Sequence, residues 1–141
     1  MVRKATVIDA AKIADLDSRM FEDSLDFSFI YNDLSNNPMA YYFVYEEENN
    51  IIGYINCWVS DNTEILNFCV EPNYRKKGIG SKLFNEVEKI ASGVISLEVR
   101  VSNTNAIEFY SNRGFKKALI RKGYYSNGED AILMVRMWVG C

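Results

Sequence analysis

Apolar residues in this chain keep two different rhythms. Ile79, Leu83, Val87 and Ile90 recur every three or four positions, which predicts an amphipathic helix from Ile79 to Ala91 that closes near Gly93. Just downstream the period drops to two. Ile95, Leu97, Val99 and Val101 fall on one side and Ser96, Glu98 and Arg100 on the other, as in a strand with one buried face. Upstream, "VRKATVID" reads as a first strand, Asp9 or Ala10 opens a helix through Ile13 and Leu16 to Met20, and Leu25 to Leu34 predicts a second helix stopped by "SNNP". "MAYYFVYEE", "IIGYINCWV" and "TEILNFCV" are successive strands separated by turns at Glu48-Asn49-Asn50 and Asp61-Asn62, which predicts an antiparallel meander. Towards the end, Ser102 to Asn105 supply caps for a short helix through Tyr110, and Gly114 supplies a left-handed stop. Two closing strands, Phe115 to Tyr124 and Asp130 to Val139, flank the turn "SNGE". The predicted order is β-α-α-β-β-β-α-β-α-β-β, a mixed α/β (α+β) sheet.

Composition narrows the class. The 141 residues suit one domain, 1–141, with no repeats or linkers. With 48% apolar and 25% charged residues the chain reads as a soluble globular protein. No apolar run approaches the roughly 20 residues of a bilayer span, and Asp9, Lys12, Asp15 and Asp17 interrupt anything like a secretory segment, so the expected compartment is the cytoplasm with no membrane partner. A net charge of −3 argues against direct nucleic-acid binding, whose footprint is basic. Cys57, Cys69 and Cys141 are odd in number and widely spaced, which suits neither a disulfide framework nor a zinc site; Cys57 and Cys69 read as small core residues. The chain has no histidine. Ser-His-Asp and Cys-His nucleophiles and a histidine base are therefore excluded, and any proton chemistry falls to carboxylates, tyrosines, lysines or held water.

Against that acidic background one stretch is locally basic: "EPNYRKKGIG", Glu71 to Gly80. A strand ending at Val70, a loop of consecutive backbone N–H groups and a helix starting at Gly78 make an anion site, because the helix N-terminus carries about half a positive charge and glycine lets a ligand approach the backbone. Arg75, Lys76, Lys77 and Lys82 add side-chain charge. A pyrophosphate fits. Neither G-x-x-x-x-G-K-[ST] nor G-x-G-x-x-G is present, which disfavours a nucleoside triphosphatase and a nicotinamide enzyme. Taken alone the loop also reads as a solvated turn or a basic sorting patch.

The pattern R-x-x-G-x-G over Arg75 to Gly80, set in V-x-P-x-Y-R-x-x-G-I-G and followed by N-x-x-A-x-x-x-Y-x-x-x-G-F from Asn103 to Phe115, resembles the GNAT acetyltransferase superfamily along almost the whole chain. The resemblance implies a mostly antiparallel sheet of about seven strands with helices on both faces, acetyl-CoA as cosubstrate, and no metal. It implies coenzyme contacts from Phe68, Cys69 and Val70 at the strand end, from Arg75, Lys76, Lys77, Gly78, Ile79, Gly80 and Ser81 around the pyrophosphate, and from Asn103 and Tyr110. Two central strands splay apart in that superfamily to admit the pantetheine arm. "LNFCVEPNYRKKGIGSKLF", "LEVRVSNTNAIEFYSNRGF" and "RKGYYSNGEDAILM" are similar to the bacterial ribosomal-protein-alanine N-acetyltransferases, which implies a ribosomal protein N-terminus as acceptor. The acceptor-side region "RMFEDSLDFSFIYNDL" lacks the Pro-Trp pair that subfamily often carries.

On this resemblance Glu98 is the general base, directly or through a water, and Tyr110 the general acid for the departing thiolate. Each has a plainer reading: Glu98 as a strand carboxylate paired with Arg100 or a lysine, Tyr110 as packing beside Phe109 and Phe115. Asn103 contacts coenzyme, caps its helix, or does both. Tyr124, Tyr125, Glu129 and Asp130 line the acceptor channel or form a polar hairpin tip. An N-terminal amine, with pKa about 7.7 to 8.0, is partly neutral near pH 7 and is an easier acceptor than lysine at about 10.4. A small-molecule amine acceptor and a noncatalytic coenzyme-binding module remain the alternatives.

Overall fold

The structure is a computed structural model and describes residues 1–137; the end of the expected closing strand, Trp138 and Val139, and Cys141 lie outside the described residues. Strands β1 (Val2–Lys4), β2 (Ala40–Glu47), β3 (Asn50–Val59), β4 (Thr63–Val70), β5 (Val94–Arg100), β6 (Lys116–Arg121) and β7 (Ala131–Met137) form one sheet in the order β1-β2-β3-β4-β5-β7-β6. Helices α1 (Ala10–Met20) and α2 (Phe27–Asn36) precede β2, α3 (Ile79–Ile90) joins β4 to β5, and α4 (Thr104–Ser111) joins β5 to β6. Every neighbouring pair of strands is antiparallel except β4 and β5.

The two-residue connection between β2 and β3 holds Glu48 at φ 51° and Asn49 at φ 66°, the paired left-handed residues of a tight hairpin turn. The first strand is shorter than its sequence suggests. After Lys4 the chain enters a 3-10 turn at Val7–Asp9, where Asp9 accepts a hydrogen bond from Thr6 N (2.8 Å) and a paired contact from Arg3 (2.9 Å). Local side-chain bonding of this kind competes with the ladder and ends the strand. The second helix begins at Phe27, not Leu25, because Asp26 caps it by accepting from Phe29 N at 2.8 Å. The sixth strand stops at Arg121 rather than Tyr124, and Val101, expected on the buried face, is 38% exposed in the turn after β5.

The sheet buries both faces on its N-terminal side. Against one lie α1 and α2, in a cluster of Ile13, Leu16, Ile30, Tyr42, Val44, Tyr54 and Cys69. Against the other lie α3 and α4, in a cluster of Leu83, Phe84, Val87, Ile95, Leu97, Val99, Tyr110 and Met134. Cys57 and Cys69 are both buried in these cores, and burial pushes the Cys57 thiol up to about 12. The register of β4 against β3 slips between Asn56 and Cys57, leaving Leu66 as an extra residue. This bulge inverts the side-chain parity of β4. Ile65 faces the α3–α4 cluster, yet Asn67 and Cys69 face α1 while Phe68 turns towards α4.

Gly93 fixes the return from α3 into β5. It has φ +64°, and a Cβ there would lie 2.1 Å from the Asp61 carbonyl oxygen. Both the left-handed backbone and the contact forbid a side chain. Gly93→Ala is expected to lower unfolding stability by at least about 2 kcal/mol, read as a lowered urea midpoint; an unchanged midpoint would show that the α3–β5 connection can rearrange freely.

Candidate active site

Strands β4 and β5 pair only at Thr63↔Ile95 and Glu64↔Ser96. Beyond those positions β4 runs on to Val70 and β5 to Arg100 without pairing to each other, so their facing edges open into a crevice. Sheet order bars other strands from filling it: β4 is held by β3 and β5 by β7. An extended chain lying between such edges can satisfy their unpaired N–H and C=O groups.

At the mouth of the crevice, residues 71–78 turn from β4 into α3. Lys76 at φ 64° and Gly78 at φ 78° curl the backbone. Among the described residues the amides of Lys76, Lys77, Gly78, Ile79, Gly80 and Ser81 have no hydrogen-bond partner; the helical ladder begins with Lys82 N donating to Gly78 O at 3.1 Å. Six amides collected at a helix N-terminus are an anion cradle. A Cβ at Gly78 would meet nothing within 4 Å, so the glycine is needed for its left-handed φ and leaves the surface open to a ligand. Among the side chains, Arg75 Nε donates back to Val70 O at 3.0 Å, tying the loop to the strand end, while Lys77 and Lys82 lie over the rings of Tyr74 and Tyr45. Arg113 also reaches this end of α3. Its guanidinium stacks 3.6 Å from the centroid of the Phe109 ring and donates to Ser81 Oγ. Nothing in the sequence pattern marks Arg113, because the contact joins α3 to the turn after α4, far apart in the chain. These features fit a diphosphate with an extended arm running into the crevice.

Tyr110 and Glu98 come to the crevice from opposite faces of the sheet. Tyr110 is 6% exposed and packs in a ring cluster with Phe68, Phe84, Phe109 and Phe115 at centroid distances of 6.3, 6.4, 5.5 and 5.4 Å. The packing reading therefore holds. Burial also pushes the phenol above its ordinary value and keeps it protonated, and its hydroxyl has no partner among the described residues. Glu98 alternates with the buried Leu97 and Val99 and points to the other face. Its ion pair is with neither Arg100 nor a lysine. Arg121 Nε of β6 donates to Glu98 Oε2 at 2.8 Å, reaching across from the far side of β7. Beside it stands Glu64, whose carboxyl is pushed up by burial and then by the neighbouring Glu98.

Asn103 caps α4 through Oδ1, which accepts from Ala106 N at 3.2 Å, leaving its amide donors for a ligand. Glu129 and Asp130 are internally engaged: Glu129 bonds Arg100 and Ser102 N, and Asp130 bonds Gly123 N and Lys122. Sequence reasoning also missed Asp17. Fully buried on α1, it accepts from Tyr54 Oη (2.6 Å), Asn67 Nδ2 (2.9 Å) and Leu25 N (2.7 Å), and so fastens both the bulged part of β4 and the loop after α1. Burial raises its carboxyl above the usual range. An aspartate at this helical position looks like a surface residue in sequence; only the approach of β3 and β4 buries it. A surface pocket of about 490 Å³ lined by Lys12, Asp15, Arg19, Ile51 and Glu71 lies outside α1 and contains neither Glu98 nor Tyr110.

Unpaired amides at a helix start beside a crevice between two strands fit the class of transferases that use an acyl-coenzyme A. The model of the acetyltransferase (GNAT) family matches residues 9–115, and the chain belongs to that family. It is 34% identical over 144 residues to a putative ribosomal protein bS18-alanine N-acetyltransferase of Bacillus subtilis (strain 168), covering 98% of this chain and 93% of that one. An N-alpha-acetyltransferase of Saccharolobus solfataricus is 31% identical, covering 96% and 91%. The crystal structure of the ribosomal-protein-S18-alanine N-acetyltransferase from Escherichia coli superposes with a TM-score of 0.86 at 25% identity, covering 100% of this chain and 95% of that one. The protein is an acetyl-CoA-dependent N-acetyltransferase, and the mixed, mostly antiparallel seven-stranded sheet is the one its sequence leads one to expect.

Gly78→Ala places a side chain at φ 78° with no steric obstruction, so only backbone strain is added. That strain, about 1–2 kcal/mol, is expected to weaken coenzyme A binding about 5- to 30-fold by calorimetry with the circular dichroism spectrum retained. Unaltered affinity would mean that the left-handed turn is not part of the diphosphate site.

Proposed function

We propose that this enzyme acetylates the α-amine of a protein N-terminus, the N-terminal alanine of a ribosomal protein being the substrate. The observation that carries this reading is the two-sided crevice: donor groups gather at α3 on one face, and Glu98 stands on the other, where an acceptor can meet the thioester without competing for the coenzyme's space. The kinship with enzymes named for ribosomal-protein alanine and for N-alpha acetylation supports the same acceptor.

In the reaction the amine must be neutral to attack. Glu98, directly or through one water, takes a proton from the amine as nitrogen bonds to the acetyl carbonyl carbon. The backbone amide of Val70 steadies the charge that develops on the carbonyl oxygen; the Cys69 amide does not, because it lies on the β3 edge with Glu71 N, which donates to Ile52 O. The C–S bond then breaks and the thiolate accepts the proton of Tyr110, leaving an amide and free coenzyme A. Arg121 holds the Glu98 carboxylate in place from across the sheet. An α-amine enters this scheme already partly neutral near pH 7, which a lysine does not.

The test is direct. Pure protein with acetyl-CoA and a peptide beginning Ala-Arg is expected to release free thiol and add one acetyl mass at the peptide N-terminus. Glu98→Gln is expected to cut kcat about a hundredfold or more while coenzyme affinity stays within twofold. Turnover of a polyamine, an amino acid or an aminoglycoside with none on the peptide would transfer the assignment to a small-molecule amine. Coenzyme binding with no turnover on any amine would make the protein a noncatalytic binding module.

A further inference from the structure

Arg100 ends β5 two residues beyond Glu98 and on the same face of the sheet. Its Nη2 donates to Asp23 Oδ2 at 3.1 Å, and its Nη1 donates to Glu129 Oε1 at 3.0 Å and to Asn127 Oδ1 at 3.1 Å. The guanidinium plane lies 3.9 Å from the centroid of the Tyr125 ring. Both carboxylates grip backbone as well: Asp23 Oδ2 accepts from Ser126 N at 3.1 Å, and Glu129 Oε2 accepts from Ser102 N at 2.9 Å. Three segments distant in sequence are thus closed around one cation: residues 21–26 after α1, the end of β5, and residues 122–130 between β6 and β7.

The place of this cluster gives it a role. Residues 21–26 are fastened at their other end by Leu25 N donating to the buried Asp17, which also holds Asn67 on the wall of the crevice. On the opposite side residues 122–130 are held to the end of β5, Glu129 by Arg100 and Ser102 N and Tyr125 by the Arg100 guanidinium over its ring. The two loops therefore flank the open end of the crevice on the face of Glu98, away from the anion cradle at the start of α3. A fork with fixed geometry is required here. Arg100 serves two carboxylates and an aromatic face at once, which a lysine ammonium cannot reproduce.

We propose that Arg100 is a positioning residue which, with Asp23, Glu129 and Tyr125, latches residues 21–26 to residues 122–130 and so sets the opening through which a polypeptide N-terminus reaches Glu98. The proposal rests on the reading of the acceptor as an N-terminal α-amine. Without the cation, Asp23 and Glu129 lose their shared counter-ion and the two loops are joined only by the Asp23–Ser126 hydrogen bond, which loosens the closure.

The test uses the full-length protein and its Arg100→Gln, Arg100→Lys and Asp23→Asn variants, with acetyl-CoA and the Ala-Arg peptide. Arg100→Gln is expected to raise the peptide KM at least tenfold while coenzyme affinity stays within twofold. Hydrogen exchange is expected to quicken in residues 21–26 and 122–130 together and to stay unchanged in α3 and β4. Arg100→Lys should fall between wild type and Arg100→Gln, and Asp23→Asn should raise the peptide KM even if Arg100→Gln folds poorly. A peptide KM that does not move in folded Arg100→Gln, or exchange that quickens in one loop alone, overturns the latch while the acceptor reading stands. A wild-type enzyme that acetylates other amines but no N-terminal peptide overturns the acceptor reading and, with it, the latch as a gate for polypeptides.

Discussion

The divergence of β4 from β5 after two paired positions is the constraint on which the site depends. A parallel pair that continued in register would satisfy its own backbone and leave no place for an extended ligand. Three local features hold the strands apart. The Leu66 bulge redirects β4, Asp17 anchors Asn67 to α1 on one face, and Phe68 wedges against Phe109 and Tyr110 on the other. Each strand also keeps an antiparallel neighbour on its outer edge, bulged at Leu66 in β4 and continuous in β5, so the opening costs the sheet only the pairs that an extended ligand can replace.

That opening distributes the chemistry. Because β5 alternates, Leu97 and Val99 build the core that carries Tyr110, while Glu98 faces the other side. In the proposed scheme a base and an acid on one face would crowd each other and share solvent. Separated by the sheet, one carboxylate stays partly hydrated beside Arg121, and one phenol stays in an apolar ring cluster that keeps it protonated. Charge is distributed unevenly as well: the chain is acidic overall, yet Arg75, Lys76, Lys77 and Lys82 gather at the start of α3.

Much of this was legible in the linear sequence because the signals are local. The switch from a period of three or four to a period of two located α3 and β5, and the glycines between Val70 and Ser81 located the turn whose amides stand unpaired at the start of α3. The turns at Glu48-Asn49 and Gly93 declared themselves by residue type. Features made by distant segments were not legible. Arg121 reaches Glu98 over an intervening strand, Arg113 reaches Ser81 of α3 from the turn after α4, and Arg100 gathers carboxylates from residues 23 and 129. The ends of β1 and β6 were misjudged for a related reason: side-chain bonds at Asp9 and a loop built around Asp130 compete with the ladder, and pattern alone does not register that competition.

The absence of histidine sharpens what kind of acceptor such a site can serve. A lysine ammonium holds its proton about 2.4 to 2.7 pKa units more tightly than an α-ammonium does, so a base has more to do before a lysine can attack. Near neutral pH the α-amine brings much of its own free-base form, so the carboxylate need act only as the C–N bond forms and the nitrogen turns acidic. The thiolate leaving group asks little of the acid in return, because a thiol of pKa about 8.5 departs readily once a phenol donates a hydrogen bond to it. In the proposed scheme a glutamate and a tyrosine on opposite walls of the crevice suit an α-amine better than a lysine.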